Sequence, residues 1–158
     1  MSKTKDRFEI KVPKGYKRRS LPFFEEWLHA LESGKVRQVR ETLCAPKGSK
    51  ALGYCCLGVL CRVQGRLVRD EGVWFDQSYL IPKGDDIDDH RSAGDLRTDN
   101  PSYKALSRNG RFPTNVKVIV AETDDEPRKE ITSLIGCNDD AELTFKEIAK
   151  IIRRIWKA

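Results

Sequence analysis

The strongest structural signal in this chain is the stretch Thr144-Phe145-Lys146-Glu147-Ile148-Ala149-Lys150-Ile151-Ile152-Arg153-Arg154-Ile155. Thr144 and Glu147 have the spacing of a capping box, in which each side chain accepts a hydrogen bond from the other residue's backbone N–H. Apolar residues recur at intervals of three and four, which places on one helix face Phe145, Ile148, Ile152 and Ile155. The opposite face carries Lys146, Lys150, Arg153 and Lys157. We therefore expect an amphipathic helix that packs into the core and leaves a basic stripe outside.

Upstream of this helix, the pattern indicates a mixture of helices and short strands. Residues 8–12 alternate apolar and charged side chains, which is typical of a half-buried strand. A first helix is expected with Ser20 as its N-cap, Pro22 in its first turn and Gly34 as its stop. A second helix is expected from Cys55 to Val63, ending near Gly65.

The remaining segments indicate turns, strands and loops. Residues 44–53 contain Ala45-Pro46-Lys47-Gly48-Ser49 and are expected to form a loop, whereas residues 67–75 favour a hairpin around Asp70-Glu71-Gly72. Residues 116–120 fit a strand by their β-branched content, or a helix that starts after Phe112-Pro113. A polar loop is expected at about 82–110.

These elements predict one α+β domain, with three or four helices packed on a small antiparallel sheet. A length of 158 residues is that of a single domain. We expect residues 1–19 to form a basic N-terminal arm with one strand, and residues 20–158 to form the globular part. No apolar run reaches the roughly 18 residues of a membrane helix, and no secretory signal is recognisable after Met1.

The charge is unevenly distributed along the chain. The formal net charge is +6, and residues 1–50 alone carry 13 basic and 6 acidic residues. Such an excess favours nucleic acid or another polyanion as a partner, although a solvated basic terminus is the alternative. The candidate polyanion-binding residues are Lys11, Lys14, Lys17, Arg18, Arg19, Lys150 and Arg153.

The cysteines favour buried packing over metal or redox chemistry. The five are Cys44, Cys55, Cys56, Cys61 and Cys137, and none of them forms a C-x-x-C pair. Three lie in the apolar run Tyr54-Cys55-Cys56-Leu57-Gly58-Val59-Leu60-Cys61, where cysteine behaves as a small hydrophobe. The acidic run 85–89 does not fit a calcium loop, because Arg91 and Arg97 stand where glycine and glutamate are required. We expect no metal and no cofactor.

Three sequence blocks resemble a family of small proteins from tailed bacteriophages and prophages. They are residues 27–43, which begin Trp27-Leu28-His29-Ala30-Leu31, the run 54–61, and residues 134–152 with Asn138-Asp139. The chain departs from the family pattern at Val36, Val39 and Cys137. The resemblance implies a phage accessory protein made in the cytoplasm of the infected bacterium, and it brings no catalytic residues. A site common to the family would involve Trp27, Cys55, Cys56, Asn138 and Asp139, which could equally be core and cap residues.

Three hypotheses about function follow. The leading one is a non-catalytic phage accessory protein that binds a host factor for host takeover or counter-defence. A second is a nucleic-acid or nucleotide-binding protein that uses the basic residues. The third is a cysteine- or metal-dependent hydrolase with Cys55 or Cys56 beside His29 or His90, for which no recognised catalytic spacing exists.

Overall fold

The described part of the chain contains four helices, a small antiparallel three-stranded sheet and three two-stranded sheets, and this confirms the predicted α+β fold. The computed structural model describes residues 7–40, 44–47, 50–70, 73–76, 106, 110–121 and 128–158. The helices are α1 (Phe24–Glu32), α2 (Cys56–Val63), α3 (Leu134–Asp139) and α4 (Phe145–Ile155). The strands are β1 (Phe8–Lys11), β2 (Arg19–Ser20), β3 (Cys44–Lys47), β4 (Lys50–Tyr54), β5 (Leu67–Asp70), β6 (Val73–Asp76), β7 (Lys117–Val120), β8 (Lys129–Ile131) and β9 (Trp156–Lys157).

Helix α4 is the amphipathic helix that the sequence predicts. Both hydrogen bonds of the Thr144–Glu147 capping box are present. The predicted apolar face is buried, and α4 packs against α1 and α3. Lys146, Lys150 and Arg153 of the opposite face are exposed, as the pattern predicts. The prediction is wrong for Lys157, because the helix ends at Ile155 and the chain continues in extended form to pair with β2.

The three-stranded sheet has the order β1-β7-β8, and both pairings are antiparallel. Strand β1 confirms the alternating pattern at residues 8–12. The ambiguous segment at 116–120 is strand β7, because Phe112-Pro113 leads into a turn closed by the Val116 N–H on the Pro113 carbonyl, at 3.1 Å. Val118 and Val120 face the core from this strand, and Ile131 joins them from β8.

Of two further sequence predictions, one is confirmed and the other is wrong. The hairpin expected at residues 67–75 is confirmed as β5 and β6. The loop expected at 44–53 is wrong, since β3 and β4 pair there as a hairpin. Pro46 is tolerated because the register shifts between Ala45 and Pro46, an irregularity of the kind that accommodates proline in a strand. Most of the predicted polar loop at 82–110 lies outside the described residues, and its described residues Leu106 and Gly110 are buried.

Helix α1 begins later than predicted. Ser20 does not cap it, because β2 pairs in parallel with β9 and takes Ser20 into a strand opposite Lys157. The helix starts at Phe24, after Phe23 in the left-handed conformation. Its end agrees with the prediction, since Gly34 has φ +72° directly after the C-cap.

The described part of the predicted N-terminal arm runs along α4 from its first turn to its last. The Arg7 guanidinium donates to the Glu147 carboxylate and to the Glu142 carbonyl, each at 3.0 Å, beside the start of the helix. The Tyr16 hydroxyl donates to the Ile155 carbonyl at 2.7 Å, at the end of the same helix. Residues 7–20 are therefore an integral part of the fold.

Candidate functional site

The residues of the three family-like blocks meet around the buried side chain of Asn138. Its Oδ1 accepts hydrogen bonds from the Cys56 N–H at 3.2 Å and from Gln38 Nε2 at 2.9 Å. Its Nδ2 donates to the Val39 carbonyl at 2.9 Å and to Asp139 Oδ1 at 2.7 Å. The Asn138 side chain therefore joins the segment before β3, the start of α2 and the end of α3.

Trp27 extends this network into α1. Its Nε1–H donates to the Cys56 carbonyl at 2.9 Å, and its side chain has no exposed surface. Cys55, Cys56 and Asn138 are likewise fully buried, whereas Asp139 is half-buried. The polar groups of the buried Trp27 and Asn138 side chains are satisfied by backbone groups and by half-buried neighbouring side chains, which favours the core-and-cap interpretation of these blocks.

The thiols are poorly placed for nucleophilic chemistry. The Cys55 Sγ accepts the Gly58 N–H at 3.3 Å and so caps the first turn of α2. Burial raises the pKa of Cys55 and of Cys137 to about 12, and burial raises the pKa of Cys56 as well. Since the thiolate is the nucleophile and the metal ligand, these groups remain in their unreactive form near neutral pH.

The alternative partners for these thiols give no further support to catalysis. His29 is exposed on α1, and His90 lies outside the described residues. Within the parts of the chain that the structure describes, no group of three or more His, Cys, Asp or Glu side chains is arranged to hold a metal ion.

The structure brings most of the predicted polyanion-binding residues to one end of α4. The Arg18 guanidinium donates to the Arg153 carbonyl at 2.9 Å, and Arg19 lies opposite Trp156 in the β2–β9 pair. We call this surface the basic face. It comprises Arg18, Arg19, Arg153 and Lys157, which these contacts bring together, and their exposed neighbours in sequence, Lys14, Lys17 and Arg154. Two chain segments separated by more than 130 residues thus supply one concentration of positive charge.

Of the two predicted residues outside the basic face, Lys11 lies apart from it and Lys150 borders it beside Arg153. Lys11 is in β1 and pairs with Lys117 of β7 on the exposed side of the three-stranded sheet. Lys150 lines a cleft of about 220 Å³ between α1 and α4, together with Glu32 and Arg153. The Glu32 carboxylate accepts from Arg153 Nε at 3.1 Å, so this cleft is not purely cationic.

Part of the charge on the basic face also stabilises the fold. Arg18 and Tyr16 both donate to carbonyls in the last turn of α4, and cations at a helix C-terminus interact favourably with the helix dipole. Burial raises the pKa of the Tyr16 hydroxyl, and the nearby charges of Arg19 and Arg18 oppose that rise. Lys14, Lys17, Arg19, Arg154 and Lys157 remain exposed at the rim of this arrangement.

Sequence reasoning missed three features of this region. Arg154 was not assigned to the basic stripe of α4, although it is exposed there. Phe23 falls within the range predicted for the first helix, yet it precedes that helix and is 43% exposed. A groove of about 810 Å³ lies between α1 and α2, with half-buried Ala30, Val36 and Val63 among its lining residues. A local sequence pattern cannot predict such a groove, because the groove depends on how two helices pack against each other.

These features define a small α+β domain with a buried polar network and a cationic surface. Residues 23–156 match the family model DUF8296, described as a domain of unknown function, and the chain belongs to this family. No curated protein and no solved structure matches the chain significantly. Among the described residues, no helix is both long and apolar enough to cross a membrane.

The residues that match the family model include the buried Asn138 network but only part of the basic face. Asn138 and its partners lie inside residues 23–156, as do all three family-like blocks. The N-terminal half of the basic face, which comprises Lys14, Lys17, Arg18 and Arg19, precedes the matched range. The buried network thus lies within the matched family domain, whereas the complete basic face also needs residues from outside it.

Proposed function

We propose that this protein is a non-catalytic binding protein whose basic face binds a polyanion, with nucleic acid as the favoured partner. The observation that carries the proposal is the convergence of residues 14–19 with the end of α4, through the β2–β9 pair and the Arg18–Arg153 hydrogen bond. Phosphate groups are recognised mainly by clusters of Lys and Arg, and surface cations close together repel one another unless an anion is bound.

Among the residues that the structure describes, carboxylates neutralise only part of the charge of the basic face. Glu32 forms an ion pair with Arg153. The other six basic-face side chains form no ion pair with another described residue. Glu147 lies at the opposite end of α4, where it pairs with Arg7 at 3.0 Å. Among the described residues, positive charge is therefore in excess at the end of α4, and such an excess attracts phosphates and raises their association rate.

From the resemblance, we further propose that the protein is a phage accessory protein acting in the bacterial cytoplasm. Binding of nucleic acid would then serve host takeover or counter-defence by covering a substrate of the host's nucleic-acid enzymes. The buried, protonated state of Cys55 and Cys56 supports binding rather than hydrolysis as the activity.

The test compares two triple variants that lose the same charge. The first is Lys17→Gln/Arg19→Gln/Lys157→Gln on the basic face, and the matched control replaces three exposed lysines elsewhere, Lys35, Lys117 and Lys129, by glutamine. Binding of a fluorescein-labelled 20-nucleotide DNA is followed by anisotropy at low salt.

We expect the basic-face variant to lose at least about tenfold in affinity, because each phosphate contact adds to a counterion-release term. The control should bind nearly as well as the wild type. Equal losses of affinity in the two variants would show that binding depends only on net charge and would contradict a role for the basic face. A wild-type protein that binds no oligonucleotide at low salt would refute the proposal.

A host protein is the second candidate partner, and the groove between α1 and α2 is the observation that favours it. Its half-buried apolar residues are flanked by Glu25 and Glu26 from α1 and by Arg62, which stacks on the Tyr54 ring at 5.2 Å. A host protein that is captured by the wild type and by the basic-face variant, but not by Ala30→Arg, would support this alternative over nucleic acid.

A further inference from the structure

Phe23 combines exposure and an unfavourable backbone conformation in one residue. It is 43% exposed, and no other large apolar side chain in the described residues is as open to solvent. The neighbouring aromatic residues Phe24 and Trp27 are buried in the core. An isolated exposed apolar residue is common on protein surfaces, so its exposure alone indicates nothing.

The backbone of Phe23 distinguishes it from an ordinary exposed residue. It has φ 59° and ψ 21°, the left-handed conformation, which glycine and asparagine adopt readily and bulky residues rarely do. Its side chain makes no capping hydrogen bond to α1. The residue before α1 thus presents a large ring to solvent, and the described contacts show no stabilising role for that ring.

The position of Phe23 links it to the basic face. The Leu21 N–H donates to the Lys157 carbonyl at 2.9 Å, and Ser20 is the strand partner of Lys157. A chain spans at most about 3.6 Å per residue, so the Phe23 Cα lies within about 14 Å of the Arg19 Cα. One extended ligand can therefore contact both the ring and the cations.

We propose that the Phe23 ring stacks on a base of a single-stranded nucleic acid whose phosphates bind the basic face. This inference rests on the proposed function and adds the form of nucleic acid that is preferred. Proteins that bind single strands combine a positively charged path for the backbone with exposed aromatic rings for the bases. A duplex keeps its base faces stacked on one another, so it offers the ring no partner.

The surrounding charges give the ligand a direction. Glu25 and Glu26 follow Phe23 in the first turn of α1 and repel phosphates. Arg19 precedes Phe23 in the chain, and Lys157 pairs with Ser20 in the β2–β9 pair. The phosphates of the bound strand therefore lead from the ring toward the end of α4, with one base on Phe23 at the edge of the site.

The experiment uses two substitutions at the same position. Phe23→Asn removes the ring and keeps a residue that adopts the left-handed conformation, whereas Phe23→Trp keeps an aromatic ring. Binding of a labelled 20-nucleotide oligothymidylate and of a 20-base-pair duplex is measured for the full chain at low salt. Thermal unfolding of each variant is recorded, and Phe23→Asn should be at least as stable as the wild type.

We expect Phe23→Asn to bind the single strand about tenfold more weakly and the duplex unchanged, with the single-strand affinity retained by Phe23→Trp. Unchanged single-strand binding by Phe23→Asn, or an equal loss for the duplex, would overturn the stacking role and leave the basic-face proposal standing. Failure of the wild type to bind either DNA would overturn both. A wild-type dimer that Phe23→Asn converts to a monomer would assign the ring to a second copy instead.

Discussion

Replacement of Asn138 by alanine removes the side chain that joins three segments of the core. The Cys56 N–H at 3.2 Å loses its acceptor, and the Val39 carbonyl at 2.9 Å loses its donor. Gln38 keeps a partner, because its Nε2 also donates to the Leu143 carbonyl at 2.8 Å. Two backbone groups are thus left unpaired, and each unpaired buried group costs about 1–3 kcal/mol. We expect the free energy of unfolding to fall by about 2–5 kcal/mol, a large part of the roughly 5–15 kcal/mol typical of a domain.

The assay is urea unfolding followed by fluorescence, to which the buried Trp27 and Trp156 contribute. Lys146→Ala on the exposed face of α4 is the control and should change the unfolding free energy by less than about 0.5 kcal/mol. Asn138→Asp keeps an acceptor but loses the donor and adds a charge beside Asp139, so its loss should match or exceed that of alanine. A loss below about 1 kcal/mol for Asn138→Ala would refute the idea that this side chain joins the segments.

Thr144→Ala should lower the free energy of unfolding by about 1 kcal/mol in the same assay, because it removes the N-cap acceptor of α4, and an unchanged midpoint would contradict the capping role. Gly53→Ala should be more damaging than Gly65→Ala, since an added Cβ would lie 2.7 Å from Val39 Cγ1 at Gly53 but meets open space at Gly65, where only the positive φ is strained. Burial raises the pKa of Cys55 from 9.0 to about 12, so its contribution to stability is complete below pH 9 and is lost as the pH rises toward 12. Urea midpoints that stay constant from pH 7 to about 11 would contradict this, as would rapid thiol labelling of the native protein at neutral pH.

The elements that the sequence predicted well are those whose signals are local. The capping box of α4, the stop at Gly34 and the hairpin predicted around Asp70-Glu71-Gly72 each depend on residues within a few positions of one another. A helix with four well-spaced apolar residues has only one face to bury, so its orientation follows from the pattern.

The features that were missed depend on contacts between distant parts of the chain. Ser20 has the chemistry of an N-cap, but pairing with Lys157 places it in a strand. Asn138 was recognised as part of a motif, yet its partners Gln38 and Cys56 lie 100 and 82 residues away. The basic face likewise needs α4 to bring Arg153 next to Arg18, which no count of charges along the sequence can reveal.

The salt dependence of oligonucleotide binding tests the central proposal most directly. Five basic-face residues, Lys14, Lys17, Arg19, Arg154 and Lys157, have side chains with no described hydrogen bond or ion pair. If each of them contacts one phosphate of a single strand, log Kobs falls with log salt at a slope of about −3.5. We therefore expect the wild-type affinity for a 20-nucleotide DNA to fall by about 100-fold between 50 and 200 mM salt. An affinity that stays flat across this range would contradict a phosphate-binding role for the basic face.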